Sequence, residues 1–225
     1  MCAAKNGVAA REIERKYELT AKTAWFMLHR IREAMKRDPL AGLLSGAVQA
    51  DETWIGGEPK NRHRNDPREL TRAPGTSDKT PVFSLVHYET REVRSRVVPD
   101  VTGETLLPAL AEQAELKRTW LQTDGGSGYR SVAPHAADHA TVDHSAGVYV
   151  GPGAVGTNLA EGYFSQLKRS IDGTHHHVSV AHLPRYLAQF DVLYSNCRRT
   201  DSARMRTLID HTAGRRLTYK PLTSN

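Results

Sequence analysis

Hydrophobic residues near the start of the chain recur at the spacing of an α-helix. The clearest stripe follows an i, i+4, i+7, i+11 pattern and consists of Ala24, Leu28, Ile31 and Met35. It predicts a helix that begins near Ala21, with Thr20 as its N-cap. A shorter helix is predicted over residues 9–17, and residues 18–20 connect the two. Two helices joined by three residues, with basic exposed positions, are typical of a helix-turn-helix.

After residue 40 the apolar residues form short runs of strand length, bounded by Gly, Pro and polar clusters. Strands are predicted at residues 47–55, 81–88, 92–99, 119–124 and 139–145, and helices at residues 103–117, 157–169 and 178–197. Residues 58–80 are polar and predict a long loop. Three strands followed by strands that alternate with helices resemble the layout of the RNase H-like fold. We therefore expect an α/β fold, with a mixed five-stranded sheet and flanking helices preceded by the small helical segment.

The predicted helix over residues 157–169 has two chemically different faces at 100° per residue. One face is apolar and holds Leu159, Tyr163, Leu167 and Ile171. The opposite face gathers an amide, a carboxylate, a hydroxyl and an ammonium group, from Asn158, Glu161, Ser165 and Lys168. Gly162 costs about 1 kcal/mol of helix propensity, which indicates the close approach of another group. An ordinary amphipathic helix would show the same stripe, so this helix alone does not assign a function to Glu161.

Three carboxylates stand where the predicted elements would bring them together. Asp51 lies inside the first strand, where a charged side chain is costly unless it is paired or binds a metal. Asp124 ends the fourth strand, and ligands bind at strand ends in α/β sheets. In the RNase H-like layout these two strands are neighbours, and Glu161 projects towards them from the following helix. Three hard oxygen ligands suit Mg²⁺ or Mn²⁺, and two such ions would hold the attacking and leaving oxygens of a displacement at phosphorus.

Composition narrows the function classes further. The chain has 225 residues, a net charge of +6 and a pI of about 9.4. Residues 5–37 and residues 198–220 each carry a net charge of +5, whereas residues 73–197 carry −3. Basic segments of this kind indicate a polyanion partner such as DNA. No apolar run reaches the length of about 18 residues that a membrane helix needs, and Cys2 and Cys197 belong to no paired metal motif.

Six segments carry a family pattern in their order along the chain. They are KTAWFMLHRIREAM (22–35), ADETWIGG (50–57), TDGGSGYR (123–130), VDHSAGVYV (142–150), TNLAEGYFSQLKR (157–169) and GTHHHVS (173–179). Together they resemble the DDE transposases of bacterial insertion sequences, and more narrowly the ISXO-like group. The resemblance implies that Asp51, Asp124 and Glu161 form the catalytic and metal-binding triad, with two Mg²⁺ (or Mn²⁺) ions per active site. It also implies an RNase H-like domain that cleaves and joins DNA at the terminal inverted repeats of the element.

Residues expected to contact DNA come from the basic segments and the predicted helices. They are Lys22, Thr23, Arg30, Lys60, Arg62, Arg64, Lys168, Arg169 and His177. A solvated surface would also explain any one of these positions taken alone. A zinc site at residues 175–177 is not expected, because three adjacent side chains do not easily point at one ion. Asp143 and Asp172 remain alternative metal ligands if Glu161 points away.

The domain boundaries follow from these assignments. We expect a helix-turn-helix DNA-binding segment at 1–40, a DDE catalytic domain at 41–200 and a basic C-terminal tail at 201–225. Full-length members of the group carry an N-terminal zinc ribbon. This sequence does not contain one, which bears on end recognition more than on the chemistry.

Two functions remain open, and a third is less favoured. The first is a transposase that pairs two DNA ends as a homodimer or higher oligomer, in the bacterial cytoplasm at the nucleoid. The second is a catalytically inactive truncated transposase that binds the repeats and acts as a repressor. Another RNase H-like nuclease is the third. A membrane and a small-molecule substrate are not expected for any of them.

Overall fold

A computed structural model describes residues 1–36, 41–56, 79–142 and 156–219. The strands in these residues are β1 (Leu44–Ile55), β2 (Thr80–His87), β3 (Val93–Val97), β4 (Ala114–Asp124) and β5 (Asp138–Val142). The α-helices are α1 (Ala10–Tyr17), α2 (Ala21–Ala34), α3 (Gly103–Ala111), α4 (Asn158–Ser170), α5 (Leu183–Ser195) and α6 (Asp201–Asp210). The five strands form one sheet in the order β3-β2-β1-β4-β5.

The sheet is mixed, as the sequence predicts. β1, β2 and β3 pair antiparallel as a meander, and Asp51 of β1 stands opposite Ser84 of β2. β4 then pairs parallel with β1 on the other side, and β5 pairs parallel with β4. The chain reaches the far side of β1 by a crossover from β3 to β4, and α3 lies in this connection. The five-stranded mixed sheet with flanking helices confirms the predicted RNase H-like α/β class.

Two apolar cores lie on the two faces of the sheet, because successive strand residues point to opposite sides. On one face, β1 side chains such as Val48 and Ala50 pack with α3 and with Tyr129, which follows β4. On the other face, Ile55 packs with α4 and α5. Alternation from these residues places Asp51 on the α4 face and its neighbour Glu52 on the α3 face. The molecule is thus layered as helix, sheet and helices, and the catalytic candidates face one helical layer.

Three boundaries differ from the predictions by five residues or more. The helix predicted over residues 103–117 ends at Ala111, and β4 begins at Ala114 because Ala114 pairs with Leu44 of β1. Tertiary pairing there overrides the helix propensity of the Ala-Glu-Leu-Lys segment. The helix predicted from residue 178 begins only at Leu183, which leaves Pro184 in the first turn, where its missing N–H costs nothing.

The C-terminal segment contains a helix, α6, that the sequence analysis describes only as part of a basic tail. Arg204 of α6 is engaged within the molecule rather than free for a partner. Its guanidinium donates to the backbone carbonyls of Asn196, Cys197 and Cys2 at 2.8, 2.9 and 3.0 Å. These bonds join the end of α5, the start of the chain and α6.

The first two helices pack on the sheet domain through α5. The predicted N-cap of α2 is present, since the Thr20 hydroxyl accepts the Thr23 N–H at 3.1 Å. Near the other end of α2, the buried Arg32 donates to Gln189 of α5 at 2.8 Å and lies 3.9 Å from the Tyr186 ring centre. The division of the chain at residue 40 stays a prediction, and this buried contact lies across it.

Candidate active site

The two aspartates stand side by side on neighbouring parallel strands. The last paired residues at this end of β1 and β4 are Gln49 and Gln122. Asp51 and Asp124 each follow two positions later, so both carboxylates point to the same face at the same level. Asp124 is also tied to the turn behind it, because its Oδ1 accepts the Gly126 N–H at 3.0 Å.

Glu161 stands on the exposed face of α4, in the first turn of the helix. Its Oε1 accepts a hydrogen bond from the Thr157 hydroxyl at 3.2 Å. The predicted polar face of α4 is exposed as a whole, and the side chains of the apolar face are buried or half-buried. Gly162 is explained by Tyr194 of α5, because a Cβ at position 162 would lie 3.1 Å from the Tyr194 hydroxyl. The predicted close approach at Gly162 is therefore present.

The negative charges of neighbouring carboxylates act on Asp51. The pKa of Asp51 is raised to about 7, chiefly by burial and further by the negative charges of Glu52, Asp124 and Glu161, against one bond from the Glu52 N–H. Asp172 does not take part, because it lies 11 residues beyond Glu161, about 16 Å along a helical path. Asp143 lies outside the described residues. Asp51 thus lies within reach of the charges of Asp124 and Glu161, and Asp172 stands apart from them.

Glu52 and Tyr129 border this site from the α3 face of the sheet and were missed by the sequence analysis. Glu52 accepts a hydrogen bond from the Tyr129 hydroxyl, and burial together with the charge of Asp124 raises the pKa of Glu52 to about 7. Glu52 lies on the α3 face of β1, so this bond ties the end of β1 to the turn that follows Asp124. A carboxylate directly after Asp51 was a visible signal. The contact with Tyr129, 77 positions away, had no such signal, because no local pattern links the two residues.

The donor chemistry of the group fits a hard divalent cation. Carboxylate oxygens are the ligands that Mg²⁺ and Mn²⁺ prefer, and close, partly buried carboxylates repel one another until a cation joins them. Within the described residues, no three His, Cys, Asp or Glu side chains stand in a geometry that would hold a metal ion. The donor atoms of these residues are therefore of the type that binds Mg²⁺ or Mn²⁺. Their side chains are not arranged around a common centre.

The residues predicted to contact DNA fall into three groups. Lys22, Thr23 and Arg30 are exposed on α2, and the Lys22 ammonium lies 4.4 Å from the Tyr219 ring centre. Lys168, Arg169 and His177 are exposed at and beyond the end of α4, with Lys168 on the same face as Glu161. Lys60, Arg62 and Arg64 lie outside the described residues.

The histidine run does not act as a unit. His175 packs its ring against Tyr186 and Phe190 of α5, at centre distances of 4.9 and 6.0 Å. His176 and His177 are exposed. His176 has a φ of 59°, in the left-handed region, and this local turn separates the inward ring from the two outward ones.

The family of this chain is identified by comparison with models of known protein families. The model of the ISXO2-like transposase domain matches residues 43–192, well over half of the chain. The chain belongs to the ISXO2-like transposase family. The match begins just before β1 and ends within α5, so it contains Asp51, Asp124 and Glu161. It confirms the resemblance found in the sequence, and it makes this protein a member of a DDE transposase family.

Other comparisons add little to this. A solved chain from a cryoEM structure of a simian T-cell lymphotropic virus intasome in complex with PP2A regulatory subunit B56 gamma is similar at 16% identity. The TM-score is 0.36, and the similarity covers 77% of this chain and 61% of that one, so the chain spans about three-fifths of it. No curated protein matches. Among the described residues, no helix is both long and apolar enough to span a bilayer.

Proposed function

We propose that this chain is a transposase that cleaves and joins DNA phosphodiesters at the terminal inverted repeats of an insertion sequence. Asp51, Asp124 and Glu161 are its catalytic residues and would hold two Mg²⁺ or Mn²⁺ ions. The observation that supports the proposal is the position of Asp51 and Asp124 on adjacent parallel strands, with the charge of Glu161 acting on Asp51, inside the matched transposase domain.

The reaction consists of two in-line displacements at phosphorus. Water attacks the phosphodiester at the element end, which breaks a phosphorus–oxygen bond and leaves a free 3′-hydroxyl. That hydroxyl then attacks a phosphodiester of the target DNA and displaces a second 3′-oxygen. Divalent ions, when bound, activate the attacking oxygen and neutralise charge on the leaving oxygen. The chain contributes the carboxylates that would hold these ions at the reacting phosphate, and the protein forms no covalent bond to the DNA.

Basic residues would hold the DNA through its phosphates. Lys168 stands two helical turns beyond Glu161 on the exposed face of α4, about 10 Å along the axis, within reach of a neighbouring phosphate. Arg169 and His177 extend this basic edge. Lys22, Thr23 and Arg30 of the proposed helix-turn-helix would contact the terminal repeat, and Lys60, Arg62 and Arg64 would contact DNA from the segment after β1.

The partners follow from the reaction. Two element ends have to be joined to one target, so the working form would be a homodimer or a higher oligomer on DNA. A protein with this substrate would work in the bacterial cytoplasm at the nucleoid. The proposal includes no membrane and no small-molecule substrate.

Strand cleavage tests the proposal. Purified protein is mixed with a labelled duplex that carries the native element end, in Mg²⁺, Mn²⁺ or EDTA, next to a duplex of scrambled end sequence. We expect metal-dependent cuts at the element boundary of the native duplex. Cuts in both duplexes would instead indicate another RNase H-like nuclease. Binding to the native end without cleavage in either metal would refute the enzymatic proposal and leave the inactive repressor.

A further inference from the structure

Two buried glutamines form a pair immediately before the two aspartates. Gln49 of β1 and Gln122 of β4 are paired residues on adjacent parallel strands, with 2% and 1% of their surfaces exposed. The Gln49 Nε2 donates to the Gln122 Oε1 at 3.3 Å. Each glutamine lies two positions before an aspartate, so both side chains point to the α4 face, as Asp51 and Asp124 do.

This pair holds the beginning of α4. The Gln49 Oε1 accepts the N–H of Leu159 at 2.9 Å, and the Gln122 Oε1 accepts the N–H of Gly156 at 3.3 Å. The first N–H groups of a helix have no partner within the helix and need a cap. The N-cap residue Thr157 does not cap with its own side chain, which donates to Glu161 instead. Gln49 therefore supplies a cap for α4 from another element.

The hydrogen bonds leave one orientation for both side-chain amides. Two backbone N–H donors require that both Oε1 atoms face α4, and the Gln49 Nε2 then faces the Gln122 Oε1. Buried amide groups are costly unless they are bonded in this way, and leucine would fill the same space without that requirement. The pair therefore fixes the position of α4 against β1 and β4 more narrowly than apolar packing would.

We propose that Gln49 and Gln122 are positioning residues that set where Glu161 stands relative to Asp51 and Asp124. The inference rests on the proposed function, because it concerns the same metal-binding carboxylates. Glu161 lies two residues after the capped Leu159 on a rigid helix, so a displacement of this first turn moves its carboxylate by a similar distance. Groups that hold metal ligands in place typically change metal affinity 10- to 100-fold when they are replaced.

The test uses Mn²⁺ binding by the full chain without DNA, followed by the electron paramagnetic resonance signal of free Mn²⁺. We expect Gln49→Met to raise the Mn²⁺ dissociation constant about tenfold, because the cap on Leu159 and the bond to Gln122 are both lost. Gln49→Asn, which cannot reach Leu159, serves as a second variant with the same expectation if the first does not fold. The matched control is Gln166→Met on α4, which loses one bond to the Lys5 carbonyl away from the site and should leave Mn²⁺ binding unchanged.

A second arm asks whether Gln49 acts through Glu161. In a Glu161→Gln background we expect Gln49→Met to have little further effect on Mn²⁺ binding, since the ligand that it positions is gone. An equal weakening in both backgrounds would overturn the inference, and so would an unchanged dissociation constant in Gln49→Met alone. A wild-type chain that binds no Mn²⁺ would overturn it too. A chain that binds Mn²⁺ but cuts no element end would fail the proposed function, while the Mn²⁺ titrations would still decide the role of Gln49.

Discussion

A buried histidine on α2 should make the stability of this protein sensitive to acid. His29 has no exposed surface, and neither of its ring nitrogens has a hydrogen-bond partner among the described residues. Its ring lies against those of Trp25, His182 and Tyr186, at centre distances of 4.3, 4.9 and 5.7 Å. Burial chiefly, and then the charges of Arg32, His182, Arg185 and His175, together lower the pKa of His29 to about 3.

The sign and size follow from the difference between the folded and unfolded chains. Because the pKa is about 3 in the folded chain and 6.5 in the unfolded one, acid favours unfolding between these values. The stabilising contribution of the neutral imidazole is complete above pH 6.5 and decreases by about 1.4 kcal/mol per pH unit below it. At pH 5.0 the loss from His29 is about 2 kcal/mol, a large part of a typical stability of about 5–15 kcal/mol.

The wild-type pH profile alone does not isolate this effect, because the carboxylates act in the opposite direction. The pKa values of Asp51 and Glu52 are raised to about 7, so these groups reduce stability as the pH rises towards 7. The effect of His29 is seen by comparing the wild type with His29→Leu, in which only the imidazole is removed.

The assay is urea unfolding at pH 7.5 and pH 5.0, followed by circular dichroism, for the wild type and His29→Leu. Between the two pH values the wild type should lose about 2 kcal/mol more unfolding free energy than the variant, in which position 29 has no group to protonate. The variant should be no less stable than the wild type at low pH. Equal pH dependence in the two proteins would show that His29 is not held neutral by burial, and would refute the reasoning.

Three further predictions concern the site and its support. Tyr129→Phe leaves the partly buried Glu52 without its donor and should lower the unfolding free energy by about 2 kcal/mol in urea titrations; an unchanged value would contradict the bond. Gly162→Ala should leave the unfolding free energy of the wild type nearly unchanged, because the new methyl group would press on the Tyr194 hydroxyl. In a Tyr194→Phe background, which lacks this hydroxyl, the same substitution should raise the unfolding free energy by about 1 kcal/mol. Equal effects in both backgrounds would refute this. Lys168→Ala should weaken binding equally to native and scrambled duplexes and reduce the slope of log affinity against log salt by about 1, and a loss confined to the native end would argue for base contacts instead.

Elements of this fold could be predicted from the sequence wherever a single segment contained a complete hydrophobic and polar pattern. The apolar stripe of α2, the hairpin of β2 and β3 and the two faces of α4 are local features, and the structure has all of them. The family segments, complete and in order, predict Asp51, Asp124 and Glu161 as the metal-binding triad, and this assignment stays a prediction. Element ends were less predictable, since the start of β4 depends on pairing with Leu44 rather than on its own residues.

The parts of the site that could not be predicted are contacts between distant segments. Glu52 accepts a hydrogen bond from Tyr129, 77 positions away, and Gln49 accepts one from the start of α4, 110 positions away. The sequence around Gln49 and Gln122 does not distinguish them from surface residues, because their burial depends on α4, which covers them. Arg32 likewise lies in a helix whose sequence suggests basic, exposed positions. Only its contact with α5 shows that it is buried.

The most direct test of the proposed activity compares two glutamates that each lie in the first turn of a helix. Glu161 and Glu104 both lie exposed in the first turn of their helix, α4 and α3. We predict that Glu161→Gln reduces the Mn²⁺-dependent cleavage rate of an element-end duplex by at least about a thousandfold, while binding to that duplex is retained and Glu104→Gln cleaves at the wild-type rate. Cleavage by Glu161→Gln at the wild-type rate would contradict the assignment of the triad and, with it, the account of how this chain acts on DNA.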